Sequence, residues 1–182
     1  MEIEQRDIEN PAKHLLVLVN YENVNLKAKQ RKMDENEING KLTSVPGYLG
    51  TYSIDELKDL RIRVFPAYLV INLDERKNSG THWIAVAIYL NHIYVCDSLG
   101  TILPTQKFPI QLIDFLHIVS YKKTLHITKQ LQEVSAETCG MYSTYFTYTL
   151  STTHSYETFL SNFSLDYSFN DVIIKLLYAS LF

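Results

Sequence analysis

The chain has 182 residues, of which 46% are hydrophobic and 20% are charged. This composition is typical of a globular protein and excludes a mostly disordered chain. The 17 Lys and Arg side chains against 20 Asp and Glu side chains give a net charge of −3, so composition makes no general case for nucleic-acid binding. The length favours one domain, at roughly 100–200 residues per domain. The two cysteines, Cys96 and Cys139, are too few for a disulfide framework and indicate a reducing, intracellular compartment.

Residues 1–45 are richer in charged side chains than the rest of the chain. Their polar, acidic start predicts no secretory signal. The apolar run from Leu15 to Val19 predicts a strand and is far shorter than the roughly 20 residues of a membrane span. We expect residues 1–45 to form an N-terminal extension and residues 46–182 to form the main domain, with a turn at 45–47 between them. A basic cluster in the extension could contact nucleic acid or form a solvated face; it comprises Lys27, Lys29, Arg31 and Lys32.

The remaining elements predict an α+β domain, because strands and helices follow one another without regular βαβ alternation. Ser53 and Glu56 fit a capping box that opens a short helix. Pro109, followed by apolar residues at helical spacing, predicts another helix. The predicted strands span 67–72, 82–89, 93–98 and 124–134, and the predicted helices span 53–60, 109–119, 141–150, 156–163 and 169–181.

Three segments supply side chains that could carry chemistry: Gly80-Thr81-His82-Trp83, Val95-Cys96-Asp97-Ser98, and Gln132 to Gly140. A thiol protease needs a thiolate nucleophile, a base that generates it, a group that orients the base, and donors for the oxyanion. The candidates for these roles are, in that order, Cys139, His82, Asp97, and the side-chain amide of Gln132 together with the backbone N–H of Cys139.

The pairing of two neighbouring strands decides whether His82 and Asp97 can meet. If the strands pair across a two-residue turn at Leu90-Asn91, Tyr89 pairs with His92, and the two residue numbers of every pair add up to 181. His82 and Asp97 then share a face as diagonal neighbours, because side chains alternate with period 2. A shift of one residue would put them on opposite faces. In the predicted register Cys96 points away from Asp97.

Cys139 and Gly140 lie at the start of a predicted helix, whose N-terminus stabilises a thiolate, as an adjacent imidazolium also does. The glycine would let a substrate backbone approach closely. Each residue alone also has a structural explanation, since a His or Asp at a strand end is usually structural and most cytosolic cysteines are small buried hydrophobes. A metal site is the competing chemistry, but no CxxC, HxxxH or HExxH motif occurs, and no metal is expected.

In their order and spacing these segments resemble the adenovirus-type maturation cysteine protease (adenain) and the related proteases of virophages and Maverick/Polinton elements. In that family a Gly-x-His-Trp strand supplies the base, the next strand supplies an acidic residue, and a Gln precedes a Cys-Gly nucleophile. Here Gly80 to Trp83 and Asp97 match the first two elements, and Gln132 lies seven residues before Cys139, as in the family. The segment 47–52 also resembles the aromatic-Leu-Gly-Thr-aromatic stretch near the adenoviral start.

The resemblance implies an adenain/Ulp-like cysteine protease fold, with a central mixed sheet flanked by helices and the nucleophile at a helix N-terminus. It implies that His82 takes the thiol proton and that Asp97 holds the imidazole. Cys139 would attack the scissile carbonyl, and Gln132 with the Cys139 N–H would bind the oxyanion.

The resemblance also implies a monomeric endopeptidase that cuts viral capsid and core precursor proteins after small residues during virion maturation. Its place would be the virion and the host-cell cytoplasm or viral factory, with no membrane partner. Trp83 and Gly140 would bind substrate, with core packing as the alternative for Trp83. Self-cleavage near Gly40 is a further hypothesis, because Ile38-Asn39-Gly40 resembles the start of such a cleavage site; an ordinary linker glycine is the alternative.

Adenain is activated by DNA and by a disulfide-linked peptide, but this chain is slightly acidic and its spare thiol, Cys96, points away from Asp97. We therefore expect no cofactor, with activation by DNA or a peptide as the alternative. Residues 1–45 could supply in cis the strand that the peptide supplies in trans.

The rival functions are a ubiquitin-like-protein deconjugating protease (Ulp/SENP-like) and a catalytically silent binding module. Ulp-type proteases typically have a Gln-to-Cys spacing one residue shorter and an Asp before the Cys, so Thr138 favours the viral branch.

Overall fold

Five strands form one mixed sheet at the centre of the protein. The computed structural model describes residues 32–78, 80–100 and 108–182. The sheet keeps the order of the chain, with β2, β3 and β4 antiparallel to one another and the outer strands parallel to their neighbours. The strands are β1 (Tyr48–Ser53), β2 (Ala67–Asn72), β3 (Trp83–Ile88), β4 (His92–Cys96) and β5 (Thr124–Ile127).

Helices cover both faces of the sheet. One face packs against α3 (Cys139–Thr153), with α1 (Glu35–Leu42), α4 (Tyr156–Leu160) and α5 (Tyr167–Leu181) around it. The other face packs against a 3-10 helix (Ile54–Asp59) and α2 (Ile110–Val119). The prediction of an α+β fold, with a mixed sheet flanked by helices and Cys139 at a helix N-terminus, is confirmed.

Helix α3 lies at the centre of the first core, and 10 of its 15 residues are buried. A helix that is buried on nearly all sides is fixed by its packing rather than by one apolar stripe. Ala85 and Ala87 of β3 lie in the same core as Tyr142 and Phe146 of α3. The residues that alternate with these alanines face the other core, as expected for a strand with period 2. The N-terminus of α3, where Cys139 lies, is therefore held firmly against β3.

The predicted helices and the strand at 67–72 are found, with helix ends within three residues of the predicted positions. The strand predicted at 124–134 is wrong beyond Ile127. There the chain leaves the sheet, because the hydroxyl of Thr128 donates to the carbonyl of Asp97. The carbonyl of Ser98 then accepts the N–H groups of Leu131 and Gln132, and these contacts hold the segment as a loop.

Residues 33–45, which the sequence assigned to the extension, contribute side chains to the core around α3. Asp34 caps α1 by accepting the N–H of Glu37 at 2.9 Å, and Ile38 and Leu42 are fully buried. Whether residues 1–31 form an extension apart from the main domain, as the predicted division at residue 45 implies, stays a prediction. Those residues, which include the predicted strand at 15–19 and three of the four basic cluster residues, lie outside the described part of the chain. Within that part, none of the helices has the length and apolar character to cross a bilayer.

Packing of α1 can be tested with two substitutions in the same helix. Leu42→Ala is expected to lower the free energy of unfolding by about 2–5 kcal/mol, because it leaves a cavity in the core. Gly40→Ala is expected to raise it by about 0.5–1 kcal/mol, because the added Cβ meets no atom within 4 Å and alanine favours a helix. Urea unfolding followed by the fluorescence of Trp83 measures both. Unchanged stability in Leu42→Ala would contradict the packing of α1.

Candidate active site

The β3–β4 hairpin brings His82 and Asp97 together. The paired residues of the two strands have numbers that sum to 181, which is the predicted register. Just beyond the paired residues, His82 Nε2 lies 2.8 Å from Asp97 Oδ1. Cys96 lies on the opposite face, where it is fully buried in the core around α3. The short turn therefore determines which side chains meet at the end of the hairpin.

Asp97 is held on several sides. Its Oδ1 also accepts the N–H of Leu99 at 3.1 Å. Thr128 Oγ1 accepts the N–H of Asp97 at 2.9 Å and donates to its carbonyl oxygen at 2.7 Å. Only 5% of the residue is exposed. A carboxylate fixed in this way can hold an imidazole in one orientation and stabilise its protonated form.

Cys139 is the first residue of α3, and its sulfur hydrogen bonds with the imidazole of His82. Because Asp97 occupies Nε2, Nδ1 is the ring nitrogen left for the sulfur. The backbone N–H groups of Trp83 and Gly140 also donate to the sulfur. The N-terminus of a helix adds a favourable electrostatic potential for a negative charge. The site can therefore stabilise a thiolate.

The electrostatics of this buried pair favour a thiolate beside an imidazolium. Burial lowers the pKa of His82, but its hydrogen bonds with Asp97 and Cys139 outweigh burial and raise the pKa to about 9. Burial raises the pKa of Cys139, but His82 and the two backbone donors outweigh burial and hold the pKa below its ordinary value. Burial raises the pKa of Cys96 well above its ordinary value, so this second thiol stays protonated at neutral pH.

Gln132 lies in the loop between β5 and α3 and is only 1% exposed. The hydroxyl of Ser98 donates to its Oε1 at 2.7 Å, and its Nε2 donates to the carbonyl of Ala136 at 2.6 Å. These contacts fix the direction of the amide and use one of its two N–H bonds, so the other remains to donate to an oxyanion. The N–H of Cys139, in the first turn of α3, has no acceptor within its helix. The pair meets the chemical requirement for an oxyanion site.

Trp83 and Gly140 both contact Met33, which precedes α1. The indole Nε1 of Trp83 donates to the carbonyl of Met33 at 2.8 Å. A Cβ on Gly140 would lie 2.8 Å from the Cβ of Met33, so the glycine is needed for this packing. Met33 thus occupies the Cβ side of Gly140, and the close approach of a substrate backbone to this glycine stays a prediction. Trp83 contacts the core and also lines the cleft at Cys139, and its role in binding substrate stays a prediction.

Two clefts meet at the hydrogen-bonded pair of Cys139 and His82. The cysteine cleft, of about 230 Å³, contains Cys139, Trp83 and Met33, with a rim of charged side chains: Lys32, Asp34, Glu35, Glu75 and Arg76. The histidine cleft, of about 330 Å³, contains His82 and Asp97 with an apolar wall: Leu73, Leu99, Phe108 and Pro109. Thr81 borders both. An extended chain that crosses from one cleft to the other would pass the sulfur.

The structure adds residues that the sequence analysis did not assign to the site. Ser98 orients Gln132, and its position directly after Asp97 was a signal that could have found it. Met33 and α1 had no such signal, because they reach the site only through tertiary packing.

Within the described residues no three His, Cys, Asp or Glu side chains are grouped so that they could hold a metal ion.

Comparison with known proteins finds no matching family model and no matching curated protein. Among solved structures, the chain is similar to the SUMO protease Ulp1 with its catalytic cysteine oxidised to a sulfenic acid, at 16% identity over 99% of this chain and 97% of that chain (TM-score 0.46). It is also similar to the C-terminal Ulp1 protease domain in complex with Smt3, the yeast ortholog of SUMO, at 14% identity over 85% and 77% (TM-score 0.44). A third similar structure is a protease of ASFV, at 19% identity over 60% of this chain (TM-score 0.41); the chain spans 43% of the length of that protease.

The paired state of Cys139 and His82 predicts selective alkylation. Iodoacetamide is expected to modify Cys139, which is 7% exposed, rapidly at pH 7 and to leave Cys96, which is 0% exposed, unmodified. In His82→Ala the rate at pH 7 is expected to fall about 10-fold or more, because burial then raises the pKa of the thiol without the opposing imidazolium. The rate of the variant should increase only as the pH rises above 9, whereas the parent reacts well below that pH.

Intact-mass spectrometry over a range of pH measures these rates, and Cys139→Ala identifies the labelled site. Equal rates at pH 7 in the parent and in His82→Ala would contradict the ion pair.

Proposed function

We propose that the protein is a thiol endopeptidase that cleaves viral capsid or core precursor proteins during virion maturation. The observation that carries the proposal is the hydrogen-bonded series Asp97–His82–Cys139 at the N-terminus of α3, beside the oriented amide of Gln132. The viral substrate class is supported by the sequence resemblance, in particular by the seven-residue spacing from Gln132 to Cys139 and by Thr138 before the nucleophile.

The acylation step follows from the geometry. The thiolate of Cys139 attacks the scissile carbonyl carbon, and the negative charge moves to the carbonyl oxygen. The N–H of Cys139 and the free N–H of Gln132 stabilise that charge. The imidazolium of His82 then donates its proton to the leaving amine, the C–N bond breaks, and a thioester remains on Cys139. Asp97 keeps the ring in place through Nε2 while the other nitrogen exchanges the proton.

Hydrolysis of the thioester uses the same groups in reverse. Neutral His82 takes a proton from water, and the resulting hydroxide attacks the thioester carbonyl. The second oxyanion forms at the same donors, and it collapses by breaking the C–S bond. The carboxylic acid product leaves, and the thiolate–imidazolium pair is restored. Atoms and charge balance with water as the only co-reactant.

The two clefts give the substrate a direction. His82 must protonate the leaving amine, so the segment after the scissile bond lies in the histidine cleft and the segment before it lies in the cysteine cleft. The cysteine cleft, of about 230 Å³, would hold the segment before the scissile bond next to Cys139. The proposed preference for small residues before the scissile bond rests on the sequence resemblance.

The same cleft favours a second candidate, a ubiquitin-like-protein deconjugating protease. A Gly-Gly tail has no side chains and fits a small cleft next to Cys139. The chemistry is identical, so only the substrate distinguishes the two candidates. The expectation of no cofactor stays a prediction, with activation by DNA or a peptide as its alternative; three of the four basic residues that could contact DNA lie outside the described part of the chain. Self-cleavage near Gly40 would require α1 to unfold, since Gly40 lies between the buried Ile38 and Leu42.

The test uses two kinds of substrate. We expect the parent to cleave quenched fluorescent peptides at internal sites after Gly, and to cleave them poorly when Gly is replaced by Phe. Cys139→Ala should have no activity on any of them. Cleavage of a folded ubiquitin-like precursor after Gly-Gly, with no cleavage of the internal peptides, would favour the deconjugating protease. A parent whose Cys139 is alkylated rapidly but which cleaves neither substrate would contradict the endopeptidase.

The oxyanion site can be tested apart from the thiolate. Gln132→Ala is expected to lower kcat about 10²–10³-fold with little change in KM, because its amide contacts the charge only in the transition state. Alkylation by iodoacetamide forms no oxyanion, so its rate should not change. Ser98→Ala should lower kcat less, because it loosens the amide without removing it. Lys129→Ala, at an exposed position near Gln132, is the control and should behave as the parent does; equal kcat in Gln132→Ala and the control would rule out the proposed donor.

A further inference from the structure

The loop of six residues between Gln132 and Cys139 determines how far apart the two proposed oxyanion donors lie. This loop, residues 133–138, contains neither helix nor strand. Within it Ala136 accepts from the side chain of Gln132, so a displacement of the loop would also turn the amide. What fixes the two ends of the loop therefore decides the geometry of the site.

Both ends of the loop are bound by one carboxylate, that of Asp171 in the first turns of α5. Its Oδ2 accepts the N–H of Glu133 at 3.0 Å, directly after Gln132. Its Oδ1 accepts the hydroxyl of Thr138, directly before Cys139. The preceding residue, Asn170, is fully buried and donates to the carbonyl of Leu131 at 3.0 Å. The start of α5 thus holds the chain on both sides of Gln132 and directly before Cys139.

Asp171 is costly to bury, which argues against a role as simple packing. The residue is 6% exposed, and within the described residues no cationic side chain forms a salt bridge with it. Burial raises the pKa of Asp171, and the hydrogen bonds from Thr138 and Glu133, the positive charge of Lys175 and a hydrogen bond from Tyr142 only partly oppose this. A buried carboxylate that forms no salt bridge is less favourable than an apolar side chain of similar volume. What the carboxylate provides at this position is two oxygen atoms, at a fixed distance from each other, that accept hydrogen bonds from the two ends of the loop.

We propose that Asp171 is a positioning residue whose carboxylate sets the spacing of Gln132 and Cys139 and thereby assembles the oxyanion site. The inference rests on the proposed function, since an oxyanion forms only if a carbonyl is attacked. Asp171 does not contact the reacting atoms; it acts through the N–H of Glu133 and the hydroxyl of Thr138. It belongs to the helix that follows the nucleophile's helix by one short element, and none of the sequence motifs includes it.

The test compares three measurements on the parent and on Asp171→Asn, which keeps the shape of the side chain but replaces one acceptor oxygen with a donor. The probes are acetyl-Leu-Arg-Gly-Gly-aminomethylcoumarin, the peptide aldehyde of the same sequence, and iodoacetamide. We expect kcat to fall about 10–100-fold with KM within about 3-fold of the parent. The affinity for the aldehyde, which forms a tetrahedral adduct, should fall by a similar factor. The alkylation rate of Cys139 should stay within about 2-fold, because alkylation does not use the oxyanion donors.

A matched pair at Thr138 tests the same contact from the other side. Thr138→Val removes the hydroxyl and keeps the volume, so it should reproduce part of the loss in kcat. Thr138→Ser keeps the hydroxyl and should retain the kcat of the parent. Urea unfolding of each variant shows whether the domain remains folded at the assay temperature.

The outcomes separate this inference from the proposed function. An active parent together with an Asp171→Asn variant of unchanged kcat and aldehyde affinity would overturn the inference alone. So would a variant whose alkylation rate falls in proportion to kcat, because the carboxylate would then support the whole site rather than the oxyanion donors. A parent that is alkylated rapidly but cleaves neither this peptide nor the internal peptides of the previous test, and does not bind the aldehyde, would overturn the proposed function and this inference with it.

Discussion

The pairing of β3 with β4 is the constraint on which the rest of the site depends. It places His82 and Asp97 on one face and sends Cys96 into the core on the other. The pairing cannot shift by one residue without reversing every side chain of β3, since the small alanines face α3 and the isoleucines face the opposite core. Bulky isoleucine side chains toward α3 would push that helix away and remove Cys139 from His82. Core packing and site geometry are therefore selected by the same register.

Each proposed catalytic group is held by a partner that another element fixes in turn. Thr128 holds the backbone of Asp97, Ser98 turns the amide of Gln132, and the core around α3 sets the position of Cys139. A buried ion pair is stable only when its remaining hydrogen-bonding groups are satisfied, and here both partners have such contacts. Donors that are already in place need little reorganisation when charge develops on a substrate. The rigidity of the scaffold is thus directly relevant to the chemistry.

The hairpin register and the helix start at Cys139 could be predicted from the sequence because both depend on local rules. A two-residue turn leaves few alternatives for the pairing, and period 2 then assigns the faces. Helix α1 was not predicted, because Gly40 interrupts its pattern and its stability comes from packing of Ile38 and Leu42. The end of β5 was misplaced because apolar alternation continues past Ile127, while hydrogen bonds to the backbone carbonyls of Asp97 and Ser98 draw the chain away from the sheet.

The other features of the site that the sequence did not predict depend on contacts between residues far apart in the chain. The packing of Met33 against Gly140 and the contact of Thr138 with Asp171 join segments whose local patterns carry no sign of each other. A single sequence shows which residue types are present at such positions but not which of them will touch. Gly140 illustrates this, since its lack of a side chain is required by the packing of a methionine from a distant part of the chain, which no local pattern indicates.

The position of Asp171 after Cys139 in the chain has a consequence for the order in which the site is completed during synthesis. The ribosome adds Asp171 32 residues after Cys139. At about 5–20 residues per second, roughly 2–6 seconds separate the two. During that interval the nucleophile has been synthesised but the loop before it lacks its anchor. The core around α3, to which α5 contributes Ile174, Leu177 and Tyr178, is also incomplete during that interval, so the site reaches the arrangement described above only after α5 has been synthesised and has packed against α3.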